Sequence, residues 1–239
     1  AASDVYKRQS MYRAFGAEVS LIEMLPRIVP AEDEEISAEL DKTFRKRGIK
    51  IYTGAKTKSV DQRADGLTIK LDDASGNEVT LDADYLLVGA GRAPLTKNIG
   101  LEAAGVKTDE RGYIITDGMM QTNVPGIYAI GDVILTPWLA HVASAEGVIA
   151  IEHIAGHHPR AINYNHVPGC TYCSPEIASV GLTEAKAKEQ GYKVKVGKFP
   201  FAAVGKATVL GQRNGFIKIV ADEQYGEILG FHMIGPRVT

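Results

Sequence analysis

Four short groups of residues in this chain have the types and spacing that chemistry needs. The first is Thr122-Asn123-Val124-Pro125-Gly126-Ile127-Tyr128-Ala129-Ile130-Gly131-Asp132, which reads as a turn, a short apolar strand and a Gly-Asp pair at the strand end. Gly131 has no side chain, so a bulky ligand can approach its backbone. Asp132 sets a hydrogen-bond acceptor at the carboxyl end of a strand, where α/β folds bind ligands. A Gly-Asp pair also closes ordinary turns. The second is Glu23, at the end of the apolar run Val19–Ile22. An acid at the end of the second strand of a dinucleotide fold binds a ribose hydroxyl pair and repels the 2′-phosphate of NADP; a solvated carboxylate is the plain alternative. The third, Gly89-Ala90-Gly91-Arg92-Ala93-Pro94, has glycines that let the backbone pass close to a flat ligand, or that simply make a tight strand-to-loop turn. The fourth, Leu139-Ala140-His141, opens a helical stretch whose positive end suits an anion. His141 by itself reads as a capping or packing residue.

Two further features are chemically tempting. Cys170-Thr171-Tyr172-Cys173 is a C-x-x-C, the spacing of a redox pair or of half a zinc site. No second C-x-x-C exists, and His157, His158 and His166 lack a recognisable ligand spacing. The pair precedes Ser174-Pro175-Glu176 rather than a helix N-terminus after a strand, so it reads as two small half-buried side chains. His232 sits within the apolar Ile228–Ile234 and reads as structural.

The elements that must position these residues follow from periodicity. Met11–Gly16 is the end of a helix closed by glycine. Ile36, Leu40 and Phe44 recur at four-residue steps, with acid early and base late, which specifies an amphipathic helix stopped at Gly48. Val19–Ile22 and a segment beginning at Lys50–Thr53 are strands around it. Leu67–Leu71 and Val79–Leu81 form a hairpin with one wet face. Tyr85-Leu86-Leu87-Val88 is continuously apolar, as a strand buried on both faces should be. Residues 93–128 are a loop-rich crossing, and 140–154 read as a helix ending near Gly156. The last third has strands at Ala178–Gly181, Lys193–Phe199, Gly215–Val220 and Ile228–Ile234, with a helix near Glu184–Gln190.

The chain has 239 residues, 45% apolar and 23% charged, with a net charge of -2. These are the values of an ordinary globular protein. They offer nothing to nucleic acid or an anionic membrane, and no apolar run approaches a membrane span. Residues 1–10 are polar and form no secretory signal. Two cysteines make no disulfide framework, which points to a reducing, cytoplasmic compartment.

Taken together, the Gly131-Asp132 string, the Val19–Pro26 segment ending in Glu23, and the Gly89–Pro94 turn resemble the dihydrolipoamide dehydrogenases. These belong to the class I pyridine nucleotide-disulfide oxidoreductases, flavoproteins that serve 2-oxo acid dehydrogenase complexes. The resemblance covers about residues 10–239. It implies an α/β and α+β fold: a partial Rossmann-like NAD domain over 10–91, a central segment of the FAD domain over 92–160, and a truncated α+β dimerisation domain over 161–239. It implies that Asp132 binds the ribityl chain of FAD beside Gly131. Leu139, Ala140 and His141 would lie at the flavin ring, and Glu23, Gly89, Ala90, Gly91 and Arg92 on the NAD side. Phe199-Pro200-Phe201, Lys206-Ala207 and Gly215–Lys218 match the dimerisation domain. The implied partners are a second copy in a homodimer and the lipoyl domain of a 2-oxo acid dehydrogenase complex.

Three family features do not appear where the resemblance expects them: the C-x-x-x-x-C redox disulfide, the first G-x-G-x-x-G of the FAD site and, beyond His232, the His-Pro base with its glutamate. No residue of this chain is therefore assigned a catalytic role, and the polypeptide is expected to be a fragment, inactive by itself. The NAD-side glycine loop is broken as well. Its second and third glycines fall near residues 2 and 5, where the chain has Ala2 and Val5, and Lys7, Arg8 and Gln9 stand where an apolar helix beginning is expected. Residues 1–9 are thus expected to be foreign to the rest, or disordered. Sister reductases such as mercuric reductase or a soluble transhydrogenase are the neighbouring reading, and a non-catalytic dimerisation module is the reading from another class.

Overall fold

The computed structural model describes residues 2–239 and divides them into two compact units, one of residues 90–167 and the other joining 2–89 to 168–239. The larger unit opens with α1 (Ala2–Ala14), β1 (Ser20–Glu23), α2 (Glu34–Lys46) and β2 (Lys50–Thr53). Residues 2–9 continue as helix, which sets aside the disordered form of the expectation and leaves a foreign origin untouched. The reason is Tyr6, which is 4% exposed and anchors those turns in the core. The strands β1 and β2 pair in parallel across the α2 crossover. Three features start and orient α2: Asp33 at its N-cap accepts from the Glu35 amide, Glu34 and Glu35 fill the first turn, and Arg45 and Lys46 fill the last. Ile36, Leu40 and Phe44 are fully buried on its inner face. Each contributes about 1.5–3 kcal/mol by leaving water.

A three-stranded antiparallel sheet follows, of β3 (Lys56–Arg63), β4 (Gly66–Asp72) and β5 (Glu78–Ala83). Ile69 and Leu71 point inward and their neighbours outward, the one-wet-face hairpin expected. Its tip is tied by Asp73 Oδ1, which accepts from the Ser75 and Asn77 amides. The next segment differs from expectation. Residues 85–88 form no strand, and Tyr85, Leu86, Leu87 and Val88 are 92, 40, 45 and 75% exposed. A parallel strand exists only through a neighbour's hydrogen bonds. The β1–β2 sheet has two strands, and no described strand pairs with 85–88.

The smaller unit is loop-rich as far as Tyr128. Asp109 and Asp117 each fold a turn by accepting two backbone amides. Tyr128 makes an isolated bridge with Gln121, and Gly131–Val133 is one 3-10 turn. Asp132 therefore lies in a turn, not at the end of a strand, because Ile127–Ile130 finds no continuous partner. The helix α3 (Ala140–Ile154) packs Val142, Ile149 and Ala150 inward, and the core of this unit adds Val106, Ile114, Met120, Ala129 and Ile134.

The rest of the larger unit contains β6 (Gly169–Thr171), β7 (Glu176–Gly181), α4 (Glu184–Glu189), β8 (Val194–Pro200), α5 (Gly205–Val209), β9 (Phe216–Asp222) and β10 (Ile228–Gly235). The strands form one antiparallel sheet, in the order β6-β7-β10-β9-β8. Its inner face meets α2, so that Ile177, Ile234 and Cys173 join Leu21, Ile36, Leu40, Phe44 and Ile51 in a single core. A polar row also crosses that sheet: Ser179, His232, Lys218 and Lys198 are register partners on four adjacent strands. The acidic start of α2 lies on this row. Lys218 bonds Asp33 at 2.9 Å and Glu35 at 2.8 Å, and Glu184 of α4 at 2.7 Å. Burial works against the Asp33 and Glu35 carboxyls, but hydrogen bonds from Lys218, Lys198 and the Glu35 amide outweigh it and hold both below their ordinary values. Hydrogen bonds from Lys188 and Lys218 pull Glu184 down to about 2. The N-cap of α4 is Thr183, whose hydroxyl accepts from the Lys186 amide at 3.2 Å. Thr183→Ala is expected to cost about 1 kcal/mol, read as a lower urea midpoint at unchanged slope.

Candidate functional site

In the smaller unit, several of the residues singled out by sequence come together. Gly131 adopts φ +71°, which only glycine takes without strain, and a β-carbon there would press on Ala143 of α3 at 3.3 Å. The glycine thus serves the turn and the helix contact at once. Asp132 is exposed, and its Oδ2 accepts from Arg92 Nη1 at 2.8 Å, which joins two of the predicted groups in one ion pair. Gly91, just before that arginine, takes φ +115° with open space around it. Ala90, Gly91 and Arg92 are all exposed.

The helix α3 begins directly opposite this turn. Leu139 is its N-cap and supplies no side-chain hydrogen bond, since leucine has no acceptor. The first amides, at Ala140 and His141, have no intrahelical partner by the geometry of a helix start. Both residues are exposed, so the positive end of a 15-residue helix faces outward. His141 stands exposed in the first turn of α3.

The arrangement depends on a residue the sequence reading missed. Glu146 is 0% exposed, six positions along α3 from Ala140. Its Oε2 accepts from the Gly131 amide at 2.7 Å and its Oε1 from the Tyr164 hydroxyl at 3.0 Å. Burial and the bond to Glu146 push the Tyr164 phenol up to about 12. A carboxylate therefore fixes the Gly131-Asp132 turn to α3. A glutamate on the inward face of α3, among the apolar Val142, Ile149 and Ala150, was the available signal, because such a group is retained only with partners. A cavity of about 440 Å³ in this unit is lined by Tyr113, Ile134, Thr136 and Tyr164 among others, and by none of the predicted cofactor residues.

In the larger unit, Glu23 ends β1 as expected and is half-buried. Its Oε1 accepts from the Leu25 amide at 2.9 Å, and the Tyr6 hydroxyl stands 3.5 Å from Oε2. Gly89 is exposed, with Val5 packed over it. Cys170 is partly buried and Cys173 buried, both free thiols. Burial pushes Cys173 up to about 12, and its Sγ donates to the Pro175 carbonyl, so it carries no thiolate at neutral pH. Among the described residues, no group of three or more His, Cys, Asp or Glu is placed to hold a metal ion. His232 is 1% exposed and meets the Leu182 carbonyl through Nε2, a structural role.

The pyridine nucleotide-disulphide oxidoreductase model matches residues 9–147, and the dimerisation domain of the same name matches 167–239. A dihydrolipoyl dehydrogenase of Rhizobium etli is 48% identical over 233 residues, spanning 96% of this chain and 48% of that protein. The Bacillus subtilis dihydrolipoyl dehydrogenase is 49% identical over 232 residues, again 96% and 48%. Among solved structures, LpdA of Mycobacterium tuberculosis superposes with a TM-score of 0.88 at 26% identity, over 98% of this chain and 50% of that one. The HOCl-induced flavoprotein disulfide reductase RclA of Escherichia coli gives 0.87 at 26%, over 96% and 52%. The chain spans about half the length of the curated relatives it matches. With both domain models matched in order, the chain belongs to the pyridine nucleotide-disulphide oxidoreductase family.

Proposed function

We propose that this chain is part of a dihydrolipoyl dehydrogenase that oxidises dihydrolipoamide and passes hydride to NAD. The observation that carries the proposal is 48–49% identity to dihydrolipoyl dehydrogenases along 96% of the chain. That compares with 26% to the disulfide reductase RclA, so a sister reductase is the weaker reading. FAD, when bound, would relay the electron pair between the dithiol and the nicotinamide.

The residues of this chain supply placement and charge. Asp132 would accept from the ribityl hydroxyls and release Arg92 in doing so. The amides of Ala140 and His141, at the positive end of α3, would stabilise negative charge on the reduced ring. Glu23 would accept from the adenosine ribose of NAD, with Gly89–Arg92 along the nicotinamide dinucleotide. The working protein would be a homodimer through residues 167–239, docking a lipoyl domain in the cytoplasm. No described helix is long and apolar enough to cross a membrane.

The 239-residue polypeptide contains no C-x-x-x-x-C. Given FAD, NAD and dihydrolipoamide, the purified chain is therefore expected to form no NADH above background, and to stay colourless after gel filtration. A yellow, active preparation would sink the inactive-fragment reading. Recovery of the coding sequence upstream of Ser10 tests the rest: a redox C-x-x-x-x-C is expected there. In the enzyme read from that gene, Asp132→Ala should weaken FAD retention by about tenfold or more, the loss of a charge-assisted hydrogen bond. Unchanged flavin affinity would remove Asp132 from the site.

A further inference from the structure

We propose that Asn214 is a self-modifying site, at which ring closure onto the Gly215 amide and loss of ammonia install an isoaspartyl link at the start of β9. The change needs no cofactor or partner and is independent of the dehydrogenase reading. Six asparagines occur in the chain, and Asn214 alone precedes a glycine. The residues after the others, Glu78, Ile99, Val124, Tyr164 and His166, carry side chains that crowd an attack by their own amides. Asn77, Asn123 and Asn163 are also held by side-chain hydrogen bonds. Asn214 is exposed, and its side chain has no hydrogen-bond partner among the described residues. It lies in the irregular stretch 212–215, outside any helix or strand. The Gly215 carbonyl accepts from the Phe201 amide at 3.0 Å, but the Gly215 amide donates to no group among the described residues. Most backbone amides are committed to a partner; this one is left to act as a nucleophile on the carboxamide beside it.

The chemistry balances with water as the only co-reactant. The Gly215 nitrogen bonds to Asn214 Cγ, the Cγ–Nδ2 bond breaks, and the amide proton leaves with Nδ2 as ammonia. Water then opens the cyclic imide. Opening at Cγ leaves an aspartate. Opening at the main-chain carbonyl leaves an isoaspartate, whose backbone runs through Cβ and Cγ and is one methylene longer. The surroundings leave no room for that methylene. Gly215 has φ +100°, and a β-carbon on it would overlap the Ile234 carbonyl oxygen. A β-carbon on Gly235 would stand 3.4 Å from the Asn214 carbonyl oxygen. The backbone at 214–215 is thus close-packed on the end of β10. The added length therefore passes into β9, where Phe216 pairs with both Pro200 and Ile234 and Lys218 holds the buried carboxylates.

The test is ageing of the complete 239-residue chain in warm, mildly alkaline buffer, beside an unstructured peptide of residues 212–218. Peptide mapping of the aged chain should find Asn214 converted to aspartyl and isoaspartyl forms, with the other five asparagines intact. An isoaspartyl methyltransferase should label the fragment containing residue 214 in aged chain and not in fresh chain. Asn214→Gln, whose longer side chain closes the ring poorly, should lose that label. The aged chain should unfold at a lower urea midpoint than the fresh one. Freshly purified Asn214→Asp carries the added charge without the added methylene, and should keep the midpoint. An Asn214 still intact when the peptide has fully converted overturns the proposal, as does a label that persists in Asn214→Gln. Labelling at residue 214 with an unmoved midpoint overturns the transmission into β9.

Discussion

Replacing Lys218 with methionine lowers the stability of the larger unit by about 3–5 kcal/mol at neutral pH, the scale expected when one member of a buried ion cluster is removed. The lysine side chain is 2% exposed, as is that of Asp33, and three carboxylates from two helices converge on it. Methionine matches the stem but leaves Asp33 without its cation in a dry place. Asp33 holds Glu35 and Glu184 amides on its two oxygens, so both helix starts loosen together. The pH dependence has a definite sign. Asp33, Glu35 and Glu184 all titrate below their ordinary values in the folded state. Groups shifted that way contribute stability that is present above their unfolded values and is lost as pH falls through the folded ones. For Glu184 that loss extends down to about 2. Without Lys218 the shifts shrink, although Lys188 still holds Glu184 and Lys198 still holds Glu35, so the gap between native and variant should narrow steadily below about pH 4. Urea melts at a series of pH values check this; a gap that stays constant into acid would show that methionine acts through packing alone.

Glu146→Ala is the second large effect. It strands the Gly131 amide and the Tyr164 hydroxyl, two half-buried donors whose unmet hydrogen bonds cost about 1–2 kcal/mol each, for a total of about 2–4 kcal/mol in the smaller unit. The variant has an independent signature. The Tyr164 phenol stands at about 12 through burial and its bond to Glu146, so part of that elevation should vanish, and its ultraviolet titration should move toward the ordinary value of 10.0. A raised phenol contributes stability fully present below its unfolded value and lost as pH rises through the folded one. Native and variant should therefore converge in strong alkali. Glu146→Gln, which keeps the shape and one acceptor, should lose less than half as much. Loss of stability with an unmoved Tyr164 titration would show that the carboxylate is not its partner.

What the sequence could and could not tell follows from the range of each signal. The four-residue spacing of Ile36, Leu40 and Phe44 is a local pattern, and α2 appears where that pattern puts it. The strands of the C-terminal sheet were legible for the same reason, to within about two residues at most ends. Partners distant in sequence were not legible. The strand β6 is three residues long and exists only through pairing with β7. Lys218 shares its strand face with the buried Val220 and Asp222, so its parity alone announces an inward lysine; its partners lie more than 180 residues away at Asp33 and Glu35. The site divided in the same way. Asp132 and the start of α3 were readable as a motif, whereas the Arg92 ion pair and the Glu146 brace required the folded turn.

The exposed run at 85–88 also sets how the chain behaves in solution. Four successive apolar side chains lie exposed outside any ladder, which is the composition of a sticky segment rather than of a loop. Asp82 and Asp84 stand immediately before it, and the glycines at 89 and 91 immediately after. Charges and glycine in those places act as gatekeepers against strand-to-strand growth between molecules. Their repulsion is electrostatic and therefore screened by salt. The concentration at which this protein stays dispersed should accordingly fall as ionic strength rises, and chaperones that recognise extended apolar peptide have a ready handle at Tyr85–Val88.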